Sequence, residues 1–301
     1  MERAAESALS TPSNRPLFLS CWRAYVAPNE QLLQQRKIRG LRQVRVESGL
    51  ACLLLILLLA EARGLFEFNA SVMLSPLLMR APRGDGHPVL ALPGFLASDL
   101  SMAPMRRYLK ELGYDTHAWN MGRNLGGVAS KRSALRDLVQ GIHDQTGRKV
   151  SLVGWSLGGV YARDLALQMP DMVRAAITLG SPFANDIRAT NATRLYEALS
   201  GEAVDDNPEI RAAIAGDLPV PATSIYSRTD GIVNWHTSLL RPSETAENIE
   251  VYFASHLGLG VNPAALWAVA DRLAQPEGEF KHFDRSGPFA IAYGPPENAQ
   301  S

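Results

Sequence analysis

From His87 onward, short apolar runs alternate with longer segments whose apolar residues recur every three or four positions. The runs Pro88–Leu92, Tyr114–Trp119, Val150–Val153, Ala175–Leu179, Thr223–Ser227 and Ile249–Ala254 have the length and composition of buried strands. Between the first two, Met102, Met105, Leu109 and Leu112 share one helical face, and Gly113 supplies a stop. Leu135, Leu138, Val139 and Ile142 form a second stripe, and Leu266, Val269, Ala270 and Leu273 a third. Asn262 and Pro263 stand where an N-cap and a first helical residue belong. Strand–helix alternation of this kind predicts an α/β fold, a mostly parallel sheet with helices on both faces.

Two stretches break the pattern. Over 184–218 the chain reads as helices Asp186–Ser200 and Pro208–Ala215 joined by a polar connection, either a small cap at the edge of the sheet or a crossover helix with a long loop. Residues 1–48 are a polar extension that turns basic at Arg36, Lys37, Arg39, Arg42 and Arg45. Residues 49–86 are an apolar helical segment whose run from Leu50 to Ala60 is closed by Glu61 and Arg63. That run is shorter than the roughly 20 residues needed to cross a bilayer. The basic stretch, the apolar run and Ala60-Glu61-Ala62 imitate a secretory leader and its cleavage site, but the basic part begins too late in the chain for one. The reading favoured is a cytoplasmic protein whose helical segment packs on the domain or, through residues 49–80, lies on a membrane surface. The α/β domain is expected over 87–275, with a tail over 276–301 that is loose at its end.

Lys plus Arg and Asp plus Glu both number 30 among 301 residues, so no net field attracts nucleic acid. The two cysteines, Cys21 and Cys52, imply no disulfide framework, and no cluster with metal-ligand spacing is visible in the sequence. No cofactor is implied, and the oligomeric state is left open.

The chemistry is carried by Gly154-Trp155-Ser156-Leu157-Gly158, between an apolar run and a helical segment. A serine in a sharp strand-to-helix turn presents its Oγ, and the N–H of Leu157 at the helix start faces any oxyanion formed beside it. Such a serine needs a base and a carboxylate that orients the base. Of six histidines, His256 ends the last strand run and opens a glycine-rich turn, which makes it the expected base; His236 is its rival. Asp230, in a turn after Thr223–Ser227, lies between serine and histidine in chain order and is the expected acid. The turn Leu92-Pro93-Gly94-Phe95 follows the first strand, and the Phe95 N–H is the expected second oxyanion donor. Phe95, Trp155, Phe183, Trp235 and Leu257 neighbour these motifs and are the expected apolar wall of an acyl pocket. Arg123 and Asn124 face the same edge, either to meet a polar head group or to brace their loop.

Over residues 87–275 the chain resembles serine-dependent α/β-hydrolases of the lipase/esterase type, in particular bacterial members. The resemblance is carried, in the family's order, by LPGF, GWSLGG, SRTDGIV and SHLGLGVNP. It implies the α/β-hydrolase fold, a Ser156–Asp230–His256 triad, and transfer of the acyl group of a small apolar ester to water. Leu92-Pro93 stands where many relatives have His-Gly. Thioesterases, amidases and acyltransferases use the same triad, and a non-catalytic lipid- or partner-binding member of the fold is the remaining alternative. A serine at this turn argues against dehalogenase and epoxide hydrolase chemistry, which use aspartate there.

Overall fold

The computed structural model describes residues 61–184 and 208–296. Residues 1–60 and the expected helix Asp186–Ser200, hence most of the expected cap, lie outside the described residues. Two short helices, α1 (Arg63–Met73) and α2 (Ser75–Leu78), precede β1 (Pro88–Leu92). Then come α3 (Asp99–Glu111), β2 (Asp115–Ala118), α4 (Val128–Thr146), β3 (Val150–Trp155), α5 (Leu157–Gln168) and β4 (Val173–Leu179). After the gap follow α6 (Pro208–Ala215), β5 (Ala222–Tyr226), β6 (Ala246–Glu250) and α7 (Pro263–Leu273). Among the described residues the strands form one sheet of order β2-β1-β3-β4-β5-β6, and every pair is parallel.

The side-chain alternation of the strands sorts the core into two layers. Val89 and Ala91 of β1 pack with Met102, Met105 and Leu109 of α3 and with Leu266, Val269 and Leu273 of α7. Leu90 and Leu92 point the other way, toward Leu135, Val139 and Ile142 of α4 and Tyr161 and Leu165 of α5. A parallel sheet must be covered on both faces, because each crossover lays a helix on one of them. The Asn262 side chain caps α7, accepting from the N–H groups of Ala264 at 2.9 Å and Ala265 at 3.3 Å. Among the described residues no helix is long and apolar enough to cross a membrane.

The last strand is displaced from its expected position. It spans Ala246–Glu250, not Ile249–Ala254. Glu247 and Asn248 look wrong for a buried strand, yet tertiary partners satisfy both. Arg272 of α7 pairs with Glu247 at 2.5 Å, each side chain 5% exposed. Asn248 exchanges two 2.9 Å hydrogen bonds with the Leu240 backbone. Beyond Val251 the chain leaves the sheet through Phe253, at φ 56°. Part of the expected tail also packs on the domain: Phe283 and Tyr293 are buried, and the Tyr293 hydroxyl donates to the Ala264 carbonyl at 2.8 Å.

At the N-terminal end of the sheet, His87 Nε2 lies 2.9 Å from Ser151 Oγ, and His87 Nδ1 lies 2.5 Å from Asp85 Oδ1. Serine, histidine and aspartate are thus hydrogen-bonded here too, but Ser151 and His87 are sealed in the core, out of reach of a substrate. Burial holds His87 below its ordinary pKa, against the pull of Asp85, so its neutral form bridges the two neighbours. Asp85 has other work: its Oδ2 accepts from Arg148 at 2.6 Å and from the buried Arg174 at 3.0 Å. Asp85→Ala leaves Arg174 without this partner and is expected to lower unfolding stability by about 1–3 kcal/mol, measured by urea denaturation.

Candidate functional site

In the strand order β2-β1-β3, the chain starts at β1, goes out one way to β2 and returns on the other side as β3. The crevice beyond the carboxyl ends of β1 and β3 is therefore the switch point of the sheet, where α/β folds place their ligands. Two of the sequence motifs open on it. β1 runs into Pro93-Gly94-Phe95, and β3 runs into Ser156.

Ser156 has φ 54° and ψ −122°, a strained backbone for a residue with a side chain. Its N–H donates to the Leu179 carbonyl of β4 at 2.8 Å, and α5 begins at the next residue. The turn is this tight because its flanks are glycine. A Cβ on Gly154 would collide with the Gly158 carbonyl, and one on Gly158 with the Leu92 carbonyl of β1. Gly94 lies so close that a Cβ there would sit 3.1 Å from Ser156 Cβ, which puts the Phe95 loop against the serine. That loop is braced by Asn124, which is wholly buried. The Asn124 backbone exchanges hydrogen bonds with Leu96 (2.7 Å) and Ala97 (2.8 Å), and its Nδ2 donates to the Pro93 carbonyl at 2.9 Å. Tyr161 of α5 donates to Asn124 Oδ1 at 3.0 Å, so α5 and the Phe95 loop share one support. For Asn124, bracing rather than head-group contact is what these bonds describe.

Asp230 and His256 meet from the loops after β5 and β6. His256 Nδ1 lies 2.7 Å from Asp230 Oδ2, with 4% and 2% of the side chains exposed. A carboxylate only accepts, so Nδ1 carries the proton and the Nε2 lone pair is left for a proton acceptor's role. Asp230 Oδ1 accepts from the N–H groups of Ile232 (2.9 Å) and Val233 (2.7 Å), which fixes the carboxylate plane. Thr229 Oγ1 donates to the Ala254 carbonyl at 3.0 Å and ties the acid loop to the histidine loop. Burial alone would lower the His256 pKa; the charges of Asp230 and Glu61 and the Asp230 hydrogen bond outweigh it and hold the imidazole above its ordinary value. His236, the rival, is exposed and stacks on Trp235 in a short 3₁₀ turn.

The expected pocket residues are placed unevenly. Trp155 is half-buried, and its indole N–H donates to the His256 carbonyl at 3.0 Å, with the two rings 5.8 Å apart. Leu257 is half exposed beside them. Trp235 stacks on Tyr226 under the Arg228 guanidinium. Phe183 is 1% exposed in the core, with the Arg163 guanidinium 4.2 Å over its ring. Arg163, itself buried, donates to the Ile214 and Gly216 carbonyls at the end of α6, where the helix dipole is negative. Desolvation pushes its pKa down to about 10. Among the described residues no group of three or more His, Cys, Asp or Glu side chains is arranged to hold a metal ion.

Sequence reasoning missed two carboxylates. Glu61, two residues before α1, and Glu67, within it, reach the backbone of the His256 loop. In the sequence Glu61 is only the end of an apolar run; its partners are 170 to 196 residues away, and no local pattern announces them.

No protein-family model matches the chain, and no curated protein matches it in sequence. Solved structures do. Lipase B of Aspergillus fumigatus superposes with TM-score 0.51 at 19% identity over 64% of this chain, which spans about half (53%) of that lipase. A monoacylglycerol lipase of Paleococcus ferrophilus matches at TM-score 0.47 and 14% identity, over 64% of this chain and 96% of its own. The naproxen esterase of Bacillus subtilis matches at TM-score 0.45 and 17% identity, over 71% of this chain and 98% of its own. Parallel sheet, strand order, serine turn and superposition together give the chain the α/β-hydrolase fold.

Proposed function

We propose that the chain is a serine hydrolase that cleaves carboxylic esters through an acyl-enzyme, a reading of the lipase/esterase type. Ser156 is the nucleophile, His256 the base and Asp230 the carboxylate that orients it. The observation that carries this reading is the buried 2.7 Å contact between His256 and Asp230, at the sheet edge where Ser156 is held in a strained turn.

In the first step His256 Nε2 takes the Ser156 proton as Oγ attacks the ester carbonyl, and Asp230 stabilises the imidazolium without taking the proton. The N–H groups of Leu157, at the open start of α5, and of Phe95 hold the oxyanion. The imidazolium then protonates the departing alcohol. Water attacks the acyl-enzyme with His256 again as base, and Ser156 is regenerated. Leu257, Trp155 and Trp235 supply the apolar side of the acyl site. The four motifs, in the order in which lipases and esterases carry them, support the ester reading, and thioesterases, amidases and acyltransferases with the same triad are its alternative.

α1 turns Gly64, Glu67 and Ser71 toward the domain and leaves Leu65 (68%), Phe66 (76%) and Met73 (80%) exposed. Its polar side faces in and its apolar side out, the reverse of an ordinary surface helix. We infer that this outward side rests on a membrane surface in a cytoplasmic protein.

Ser156→Ala is expected to abolish labelling by a fluorophosphonate probe and to cut ester hydrolysis at least about 10³-fold. Folded wild-type protein that takes no label would instead favour a non-catalytic binding role, and faster turnover of thioesters or amides across an acyl panel would move the substrate class. Replacing Leu65, Phe66 and Met73 together by Ser is expected to release full-length protein from sedimenting phosphatidylcholine/phosphatidylserine vesicles. Equal sedimentation of variant and wild type would remove the membrane reading.

A further inference from the structure

The N-terminal end of α1 grips both loops that carry the acid and the base. Glu61 is 2% exposed. Its Oε1 accepts from the N–H of Gly231 at 3.1 Å and of His256 at 3.1 Å, and its Oε2 accepts from the N–H of Leu257 at 2.8 Å. One carboxylate therefore bonds the residue after Asp230, His256 itself and the residue after His256. Arg63 Nη2 adds a bond to the Thr229 carbonyl at 2.9 Å. Glu67 holds the other side of the histidine loop, accepting from the Ser255 N–H (2.8 Å) and Oγ (2.6 Å) and from Asn262 Nδ2 (2.8 Å). A Cβ on Gly258 would collide with the Glu67 carboxylate, so the glycine in this turn makes room for it.

A buried carboxylate is costly unless its charge is compensated. Three converging N–H groups compensate Glu61. A neutral amide has one acceptor oxygen where Glu61 uses two, so only a carboxylate accepts from all three N–H groups. A carboxylate also adds negative charge beside the imidazole. The charged groups facing His256 and its loop among the described residues are Asp230 after β5 and Glu61, Arg63 and Glu67 on the α1 side.

Resting on the serine-hydrolase reading, we propose that Glu61 is a positioning residue: it fixes the spacing of the Asp230 and His256 loops and is a second negative charge supporting the imidazolium formed when Ser156 loses its proton. The upward displacement of the His256 pKa agrees, since Glu61 adds to the larger effect of Asp230 in opposing burial. Glu67 fastens the same loop but bonds Ser255 and Asn262, not His256.

The test uses full-length wild type, Glu61→Gln, Glu61→Ala and Glu67→Gln, each checked for folding by thermal unfolding. The His256 ring is titrated by NMR, and nitrophenyl ester hydrolysis is followed against pH. Glu61→Gln keeps size and one acceptor but loses the charge. It is expected to lower the His256 titration midpoint, to move the acidic limb of kcat/KM to lower pH, and to cut kcat about 10- to 100-fold with little change in KM. Glu67→Gln is expected to leave the midpoint where it is. A folded Glu61→Gln protein with wild-type midpoint and kcat would overturn the proposal. So would Glu67→Gln lowering the midpoint as far as Glu61→Gln does. Should Glu61→Ala fail to fold, Glu61→Gln decides. Wild type that resists fluorophosphonate would sink the hydrolase reading itself, while the midpoint difference would still report the charge of Glu61 on His256.

Discussion

The buried contact between the Asp230 carboxylate and the His256 imidazole is the interaction on which the proposed chemistry depends. It sets the tautomer of the neutral ring, with the proton on Nδ1, and it opposes the tendency of burial to keep the ring neutral. Neither effect survives a misplaced loop, because a hydrogen bond at this distance weakens steeply when its geometry opens. The rest of the site is best understood as what holds two loops and a serine turn in register.

That holding comes from several directions. β5 and β6 deliver the loops to one end of the sheet, and Thr229 bonds across them. Trp155, next to Ser156, bonds the His256 carbonyl from the β3 side. Asn124 and Tyr161 tie the Phe95 loop to α5. From outside the sheet Glu61 and Glu67 close the arrangement. The contrast with Asp85–His87–Ser151 is instructive. That trio has similar contacts, yet its serine lies inside β3 and is sealed in the core. Hydrogen bonding among three residue types does not make a reactive serine; a strained turn at the open end of the sheet is also required.

Features set by neighbours in sequence were readable from it. The turn at Ser156 follows from glycine spacing between a strand and a helix, and the α7 cap from Asn262-Pro263. Asp230 and His256 sit in the loops that chain order assigned them. Features set by distant partners were not readable. β6 starts early because Arg272 and Leu240 satisfy Glu247 and Asn248, which lie just before the expected run Ile249–Ala254. Phe183 reads as pocket wall but is covered by Arg163, and Trp155 uses its indole N–H as a brace. Glu61 sits at the end of an apolar run, while its partners come from the far end of the chain. In each case the deciding contact joins segments that only the folded sheet brings together.

The pH dependence of wild-type inactivation by a fluorophosphonate tests the central claim most directly, because it follows attack by the serine itself. If Asp230 and Glu61 hold His256 above its ordinary value, inactivation weakens as pH falls through a single apparent pKa above the unperturbed value of about 6.5. A rate that is flat with pH, or that titrates below that value, would contradict the account.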